Sequence, residues 1–277
     1  MSAEPEQTRS KQGIEKLGQP ANSRISRVVA VMSGKGGVGK SSVAALLASE
    51  LARRGYSVAL LDADVTGPSI PKLFGLKRDP TTLDDQLLPQ MTGLGIRVMS
   101  LNLLLDKEDL PVIWRGPLIA GAVKQFWTDV VWGEVDYMVI DLPPGTGDVS
   151  LTVLQSLPVD GVVIVTTPQD LSQMVVRKSV NMVRMLNVPI LGMIQNMAWI
   201  QCPHCGGRIE PFGSGSAADA ASAMGVELLG ILPIDPKISE MGDKGAIEDC
   251  RSEVGESLVS IVEARVPLRR TNVSEGR

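Results

Sequence analysis

Ten residues, Ser33 to Ser42 (SGKGGVGKSS), leave this chain little choice of fold. They follow the apolar run RVVAVM and open into VAALLASELARR, whose apolar residues recur at helical spacing. The segment is a buried strand, a glycine loop and a helix N-terminus. Gly34, four intervening residues and then Gly39-Lys40-Ser41 match the spacing of a phosphate-binding loop. Glycines let backbone N–H groups converge on a phosphate without interference from Cβ atoms, and the helix starting near Lys40 adds its positive dipole end. Gly34, Lys35, Gly36, Gly37, Val38, Gly39, Lys40, Ser41 and Ser42 are therefore the expected nucleotide-binding residues. Lys40 would neutralise β- and γ-phosphate oxygens, and the Ser41 hydroxyl would join the shell of a Mg²⁺ that keeps several waters.

Such a start predicts an α/β fold, and the rest of the chain keeps the alternation. Gly55 closes the first helix, and SVALLDAD follows as a second buried strand ending in Asp62 and Asp64. That makes a βαβ unit and hence a parallel sheet. In the next stretch, VTGPSIPKLFGL, the residues Gly67, Pro68 and Pro71 preclude a regular helix at its start. It is a loop at the carboxyl end of a strand, where open α/β sheets place ligands, so Asp64 is expected to point toward the phosphates. Residues 79–95 alternate weakly and suggest an irregular hairpin, IRVMSL a further strand, and Arg115-Gly116-Pro117 a turn before a helix from about Leu118.

A second constellation, DYMVIDLPPGTGD, puts Asp141 at a strand end, where a phosphate-loop enzyme keeps the carboxylate of its Mg²⁺ shell. Pro143 to Gly147 form a tight loop whose Gly145 N–H is expected to sense a γ-phosphate and act as a switch. GVVIVTTPQD, PILGMIQNM and VELLGILP are further strands, LSQMVVRKSVNMVRML and ESLVSIVEARV helices. Asn196 stands at a strand end, where its amide could pair with a nucleobase edge or merely form a turn. The expected architecture is one domain over residues 25–266, three layers with a mostly parallel central sheet and helices on both faces. A flexible N-terminal arm at 1–24 and a polar C-terminal tail at 267–277 flank it.

A net charge of −4 argues against broad binding to nucleic acid or anionic lipid. No apolar run approaches the roughly 18 residues that span a bilayer. The polar N-terminus with its Glu residues has no secretory or transit character, so a reducing cytoplasm is expected. Aromatic residues make up only 3%, which predicts an aliphatic core.

Cys202-Pro-His-Cys205-Gly-Gly, in a loop at 200–212, has the form of one knuckle of a metal site. Gly206 and Gly207 would free the backbone to turn N–H groups toward thiolate sulfurs. One knuckle supplies two ligands, whereas tetrahedral zinc or a 4Fe–4S cluster normally takes four, and the chain has no second C-x₂-C. Two subunits meeting at a two-fold axis would supply four. Zinc and iron both remain open. Thiol–disulfide exchange is disfavoured, because Gly-Gly follows instead of a helix. His204 is expected to be a spacer and Cys250 an unligated, partly buried thiol.

Lys35 gives the phosphate loop a second lysine, and that variant resembles the loop of the MinD, ParA and nitrogenase iron-protein superfamily, whose members sandwich two nucleotides between two subunits. In order, SGKGGVGKSS, LLDADVTGPSIPKLFGL, WRGP, DYMVIDLPPGTGD, TTPQD, NM and CPHCGG resemble the Mrp/ApbC family of iron–sulfur carrier ATPases over roughly residues 25–265. The resemblance implies a homodimer that binds ATP and hydrolyses it slowly with Mg²⁺. It also implies a labile 4Fe–4S cluster held between subunits by Cys202 and Cys205 and passed to apo-proteins. Lys35, Lys40 and Asp64 would be catalytic, Asp64 orienting the water, with Ser41 and Asp141 on Mg²⁺. Two departures stand out: Gln195 replaces the family's common Glu, and the chain shows neither the N-terminal cysteine cluster of some eukaryotic relatives nor the extra N-terminal domain of many bacterial ones. The alternative from the same superfamily is a ParA- or MinD-like positioning switch on DNA or membrane. Its amphipathic membrane helix would have to be the last one, where Val254, Leu258, Ile261, Val262 and Val266 form a stripe ending in Arg265, Arg269 and Arg270. A packed core helix with a solvated basic end is the expectation there.

Overall fold

The computed structural model describes residues 16–20, 22–64, 67, 69–77, 82–83, 86–100, 103, 116–169, 174–213, 217–251 and 253–268. Expectations for residues 1–15, Pro68, Arg115, Arg269, Arg270 and the rest of the tail lie outside them. The first half runs β1 (Arg24–Ser33), α1 (Lys40–Arg53), β2 (Val58–Asp62), α2 (Ile70–Leu73), β3 (Thr82–Leu83), β4 (Gln86–Leu87), β5 (Gln90–Met91), β6 (Arg97–Ser100) and α3 (Gly116–Thr128). It continues through β7 (Glu134–Asp141), α4 (Asp148–Ser156), β8 (Gly161–Thr166), α5 (Met174–Met185), β9 (Ile190–Gln195), β10 (Ile200–Gln201) and β11 (Arg208–Ile209). The chain then passes α6 (Ala217–Ala223), β12 (Leu228–Ile231), α7 (Pro236–Asp243), a 3₁₀ turn (Ile247–Asp249) and α8 (Glu253–Arg265).

Eight strands form one sheet in the order β12-β9-β8-β1-β7-β2-β6-β5, parallel throughout except for β5 at one edge. The central strands are apolar on both faces, as a doubly covered parallel sheet demands. Alternation then sorts their side chains. Val29 and Val31 face the core made with α1 and α8, while Ala30 and Met32 face the core made with α3, α4 and α5. The three layers expected from the sequence are present. The core is largely aliphatic, yet Trp127, Trp132 and Tyr137 are also fully buried. Of the expected apolar stripe, Leu258, Val262 and Val266 are buried in the core and Ile261 is half-buried, Val254 lies outside the described side chains, and Arg265 pairs with Glu227. No helix among the described residues is long and apolar enough to cross a membrane.

Four boundaries differ from expectation. The part of the N-terminal arm that is described is tied down: the Leu17 N–H reaches the Ser156 carbonyl at 2.7 Å, and Trp127 Nε1 reaches the Gly18 carbonyl at 2.8 Å. Gln19 bonds both backbone groups of Ile25. The second strand stops at Asp62, leaving Asp64 just beyond it. Helix α3 begins at Gly116, with Pro117 in the first turn, where its missing N–H costs nothing. Residues 79–95 hold the antiparallel pair β3–β4, but β5 leaves that hairpin to become the antiparallel edge of the main sheet.

Candidate functional site

Every strand of the parallel array ends on the same side of the sheet, and the polar residues of the site stand on those ends. The phosphate loop runs from Ser33 at the end of β1 to Gly39 at the start of α1, and Gly37 and Gly39 have φ of 78° and 80°. Packing requires glycine here as well. A Cβ on Gly39 would lie 2.2 Å from Asn196 Nδ2, and one on Gly34 would lie 3.1 Å from the Val176 nitrogen of α5. Lys35, half-buried, has its carbonyl held by the Ser33 hydroxyl at 2.9 Å. Lys35, Gly36, Gly37, Lys40, Ser41 and Asp64 line a cavity of about 370 Å³ over the loop.

Strand register builds the floor of this cavity. Ser100 on β6, Asp62 on β2 and Asp141 on β7 are Cα partners in one row across three adjacent strands. Lys40, nearly buried, places Nζ 2.6 Å from Asp141 Oδ1 and 3.5 Å from Asp64 Oδ2. The Ser41 hydroxyl donates to Asp141 Oδ2 at 2.5 Å. One hydroxyl and one carboxylate side by side are the hard-oxygen donors that Mg²⁺ takes from protein while it keeps its waters, so the residues present fit that ion. Asp62 uses both oxygens: Oδ1 accepts the Asp64 N–H at 3.1 Å and Oδ2 accepts the Ser100 hydroxyl at 3.0 Å. Burial, and then the Asp141 charge beside it, hold the Asp62 carboxyl well above the usual carboxylate range. Burial raises Asp141 too, against the opposing pull of Lys40.

Two of the expected residues bond to the phosphate-loop strand or to the loop itself. Gly145, at φ of 82°, donates its N–H to the Ser33 carbonyl at 2.8 Å, which ties the Pro-Pro-Gly loop to β1. Asn196 Nδ2 donates to the Val38 carbonyl at 2.9 Å. Its amide therefore grips the phosphate loop from the end of β9, and one of its two N–H groups is committed there instead of to a base. The preceding Gln195 is buried, its carbonyl accepting the Leu232 N–H at 2.8 Å.

A second cavity of about 420 Å³ adjoins the first, sharing Gly39, Ser42 and Ser69 with it. Asn196, Leu232 to Asp235, and Ile238 and Gly242 of α7 complete its apolar walls. Sequence reasoning missed this contribution from the far end of the chain. The available signal was Asp235-Pro236, an N-cap and first-turn proline; Asp235 does cap α7 by accepting the Lys237 N–H at 2.9 Å.

The cysteine pair stands at the tip of the β10–β11 hairpin. The Cys202 N–H reaches the Gly207 carbonyl at 2.8 Å, and the Gly206 N–H returns to the Cys202 carbonyl at 2.9 Å. Hydrogen bonds from the Cys205 and His204 N–H groups, then from the Cys205 thiol, lower the Cys202 thiol below the ordinary range. The donors are His204 and Cys205, and Gly206, at φ 71°, serves the turn that presents them. Cys205 is exposed, Cys202 partly so, and Cys250 is buried. Among the described residues no group of three or more His, Cys, Asp or Glu could hold a metal, so one chain offers two thiol ligands here. Trp199, under the Arg208 guanidinium at 4.5 Å, joins Cys202 and Pro233 to Pro236 in lining a third cavity of about 500 Å³.

Residues 24–265 match a family described as "ParA: NUBPL iron-transfer P-loop NTPase". A protein of Methanocaldococcus jannaschii named iron-sulfur cluster carrier protein is 47% identical over 235 residues, covering 83% of this chain and 81% of its own. A Clostridium perfringens protein of the same name is 45% identical over 237 residues, covering 83% of each. Among solved structures, a nucleotide-binding protein from Archaeoglobus fulgidus in complex with ADP has a TM-score of 0.73 at 45% identity, covering 84% of this chain and 91% of that one. The septum site-determining protein MinD from Pyrococcus horikoshii, complexed with Mg-ADP, shares the fold at a TM-score of 0.57 and 23% identity, over 87% and 96% of the two chains.

Proposed function

The chain belongs to the NUBPL iron-transfer P-loop NTPase family, and on that premise we propose that it is an ATP-binding, slowly hydrolysing iron–sulfur cluster carrier. Two copies would hold a 4Fe–4S cluster between them and deliver it to apo-proteins. The observation that carries this reading is the Cys202–Cys205 turn, whose backbone N–H groups favour a thiolate and which offers half the ligands a cluster needs. A two-fold axis supplies the other half. A reducing cytoplasm suits a pair of accessible thiols.

The triphosphate would lie over Gly34 to Gly39, its terminal oxygens taken by Lys40 and by Lys35 of the facing copy, with the nucleoside in the adjoining 420 Å³ cavity. Ser41 and Asp141 would hold Mg²⁺, which supplies charge neutralisation at the phosphates when bound. Asp64, on the rim of the phosphate cavity, orients the attacking water. Among the described residues lining the phosphate cavity no stronger general base stands beside it, so slow turnover is expected. Cluster and nucleotide sites communicate through Pro233, Ile234 and Asp235, which line both the nucleoside cavity and the one beside Cys202. ATP-driven closure and reopening of the dimer would alter the spacing of the two cysteine pairs and so the hold on the cluster.

Anaerobic reconstitution with iron and sulfide, read by Mössbauer spectra and iron counting, tests the cargo. About four irons per pair of chains, lost in a Cys202→Ala/Cys205→Ala variant, are expected. A cluster that persists without the pair overturns the reading. Failure to assemble one, with zinc retained by the pair, replaces it with a dimeric ATPase built on a structural zinc.

A further inference from the structure

We propose that Asp62 is a positioning residue for ATP hydrolysis: its Oδ1, by accepting the Asp64 N–H, fixes the turn that aims the Asp64 carboxylate, and Ser100 on the next strand holds Asp62 in place. The proposal rests on the ATPase reading above.

Asp62 is 1% exposed and lies in the row beneath the cavity, outside the residues that line it. Its surroundings are nevertheless built around its two oxygens. The Ser100 hydroxyl, brought opposite by the β2–β6 register, fixes Oδ2 at 3.0 Å. On the other side the chain stays attached to β7 one residue past the strand, the Ala63 N–H reaching the Asp141 carbonyl at 2.9 Å. Only then does it turn away, and the first N–H of that turn, from Asp64, closes onto Asp62 Oδ1 at 3.1 Å. A side-chain oxygen accepting the N–H two residues on is the local device by which Asp sets a backbone turn. The carboxylate carried by this turn reaches toward Lys40, Oδ2 to Nζ 3.5 Å. Burial keeps Asp62 from serving as an acid or base toward substrate, so its contribution to the reaction is the direction in which Asp64 points.

The test measures steady-state ATPase kinetics, nucleotide affinity and thermal unfolding on the full chain for wild type, Asp62→Asn, Asp62→Ala, Ser100→Ala and Lys40→Ala. Asn keeps an acceptor for the Asp64 N–H and a donor for Ser100. Asp62→Asn is therefore expected to hold kcat within about twofold of wild type, while Asp62→Ala loses about 10- to 100-fold in kcat with KM and nucleotide affinity unmoved, the scale on which misplacing one group acts. Ser100→Ala should fall between them. Asp62→Ala with unaltered kcat, or Asp62→Asn falling as far as Asp62→Ala, overturns the proposal. So does parallel loss of affinity, kcat and thermal stability, which marks a merely structural role. A wild type whose turnover equals that of Lys40→Ala instead sinks the ATPase reading and this role with it.

Discussion

Lys40 Nζ stands 2.6 Å from Asp141 Oδ1 in the buried floor of the site, and the same carboxylate takes the Ser41 hydroxyl on its other oxygen. Asp141 is fully buried. Breaking a buried pair by removing one partner leaves an uncompensated charge, whereas removing both can be close to neutral. Lys40→Ala is therefore expected to destabilise the fold by about 3 kcal/mol or more in denaturant titrations. Lys40→Ala/Asp141→Asn should recover most of that stability without recovering nucleotide binding. Equal destabilisation in the single and double variants would show that the pair carries no such linkage.

Asp62 makes stability depend on pH in a definite direction. A carboxyl whose folded pKa is raised binds its proton more tightly folded than unfolded. Its favourable contribution is complete below the ordinary carboxylate pKa and is lost as pH rises from there through the raised value. Asparagine imitates the protonated form and has no proton to lose. Asp62→Asn should therefore gain stability relative to wild type between roughly pH 4 and neutrality, with the two converging at the acid end. A difference that is constant with pH, or that widens on acidification, contradicts the assignment.

The parts of this molecule legible in its sequence are those where function and local structure share residues. SGKGGVGKSS fixes a strand, a loop and a helix together, and DYMVID ends where its carboxylate must stand; both lie where expected. What stayed hidden depends on register and on partners distant in sequence. Nothing local in DAD says that Asp62 will face Ser100, because that follows from how β6 aligns on β2. Asn196 finds the Val38 carbonyl, and Gly145 finds that of Ser33, across strands brought together only by sheet order. The docking of residues 16–20 escaped notice for the same reason: their composition is polar, and their bonds go to α3, α4 and β1.

The three cysteines should differ in reactivity. The Cys205 and His204 N–H groups stabilise the Cys202 thiolate, while burial pushes the Cys250 thiol up. Since the thiolate is the nucleophile, Cys202 should alkylate first, with a rate that rises at lower pH than for a free cysteine, and Cys250 last. Peptide mass spectrometry after timed iodoacetamide treatment resolves the order. Fastest labelling at Cys250, or a Cys202 profile displaced to higher pH than free cysteine, would contradict this account of the knuckle.

Gly39 and Asn196 should prove coupled. Alanine at position 39 meets two separate obstacles: φ of 80° and a Cβ only 2.2 Å from Asn196 Nδ2. The left-handed backbone alone costs about 1–2 kcal/mol for a residue with a Cβ. The clash adds to it, because Asn196 is also bonded to Val38 and cannot swing away freely. Asn196→Ala by itself removes that bond and should cost about 1 kcal/mol. In the double variant the clash is gone and the strain persists, so the loss should be smaller than the two single losses together, by an interaction energy of about 1 kcal/mol or more. Nucleotide affinity should follow the same pattern, since Gly39 is the N-cap of the helix whose first turn lines the cavity proposed to take the phosphates. Strict additivity in both measurements would mean that Asn196 moves aside at no cost and does not brace the phosphate loop.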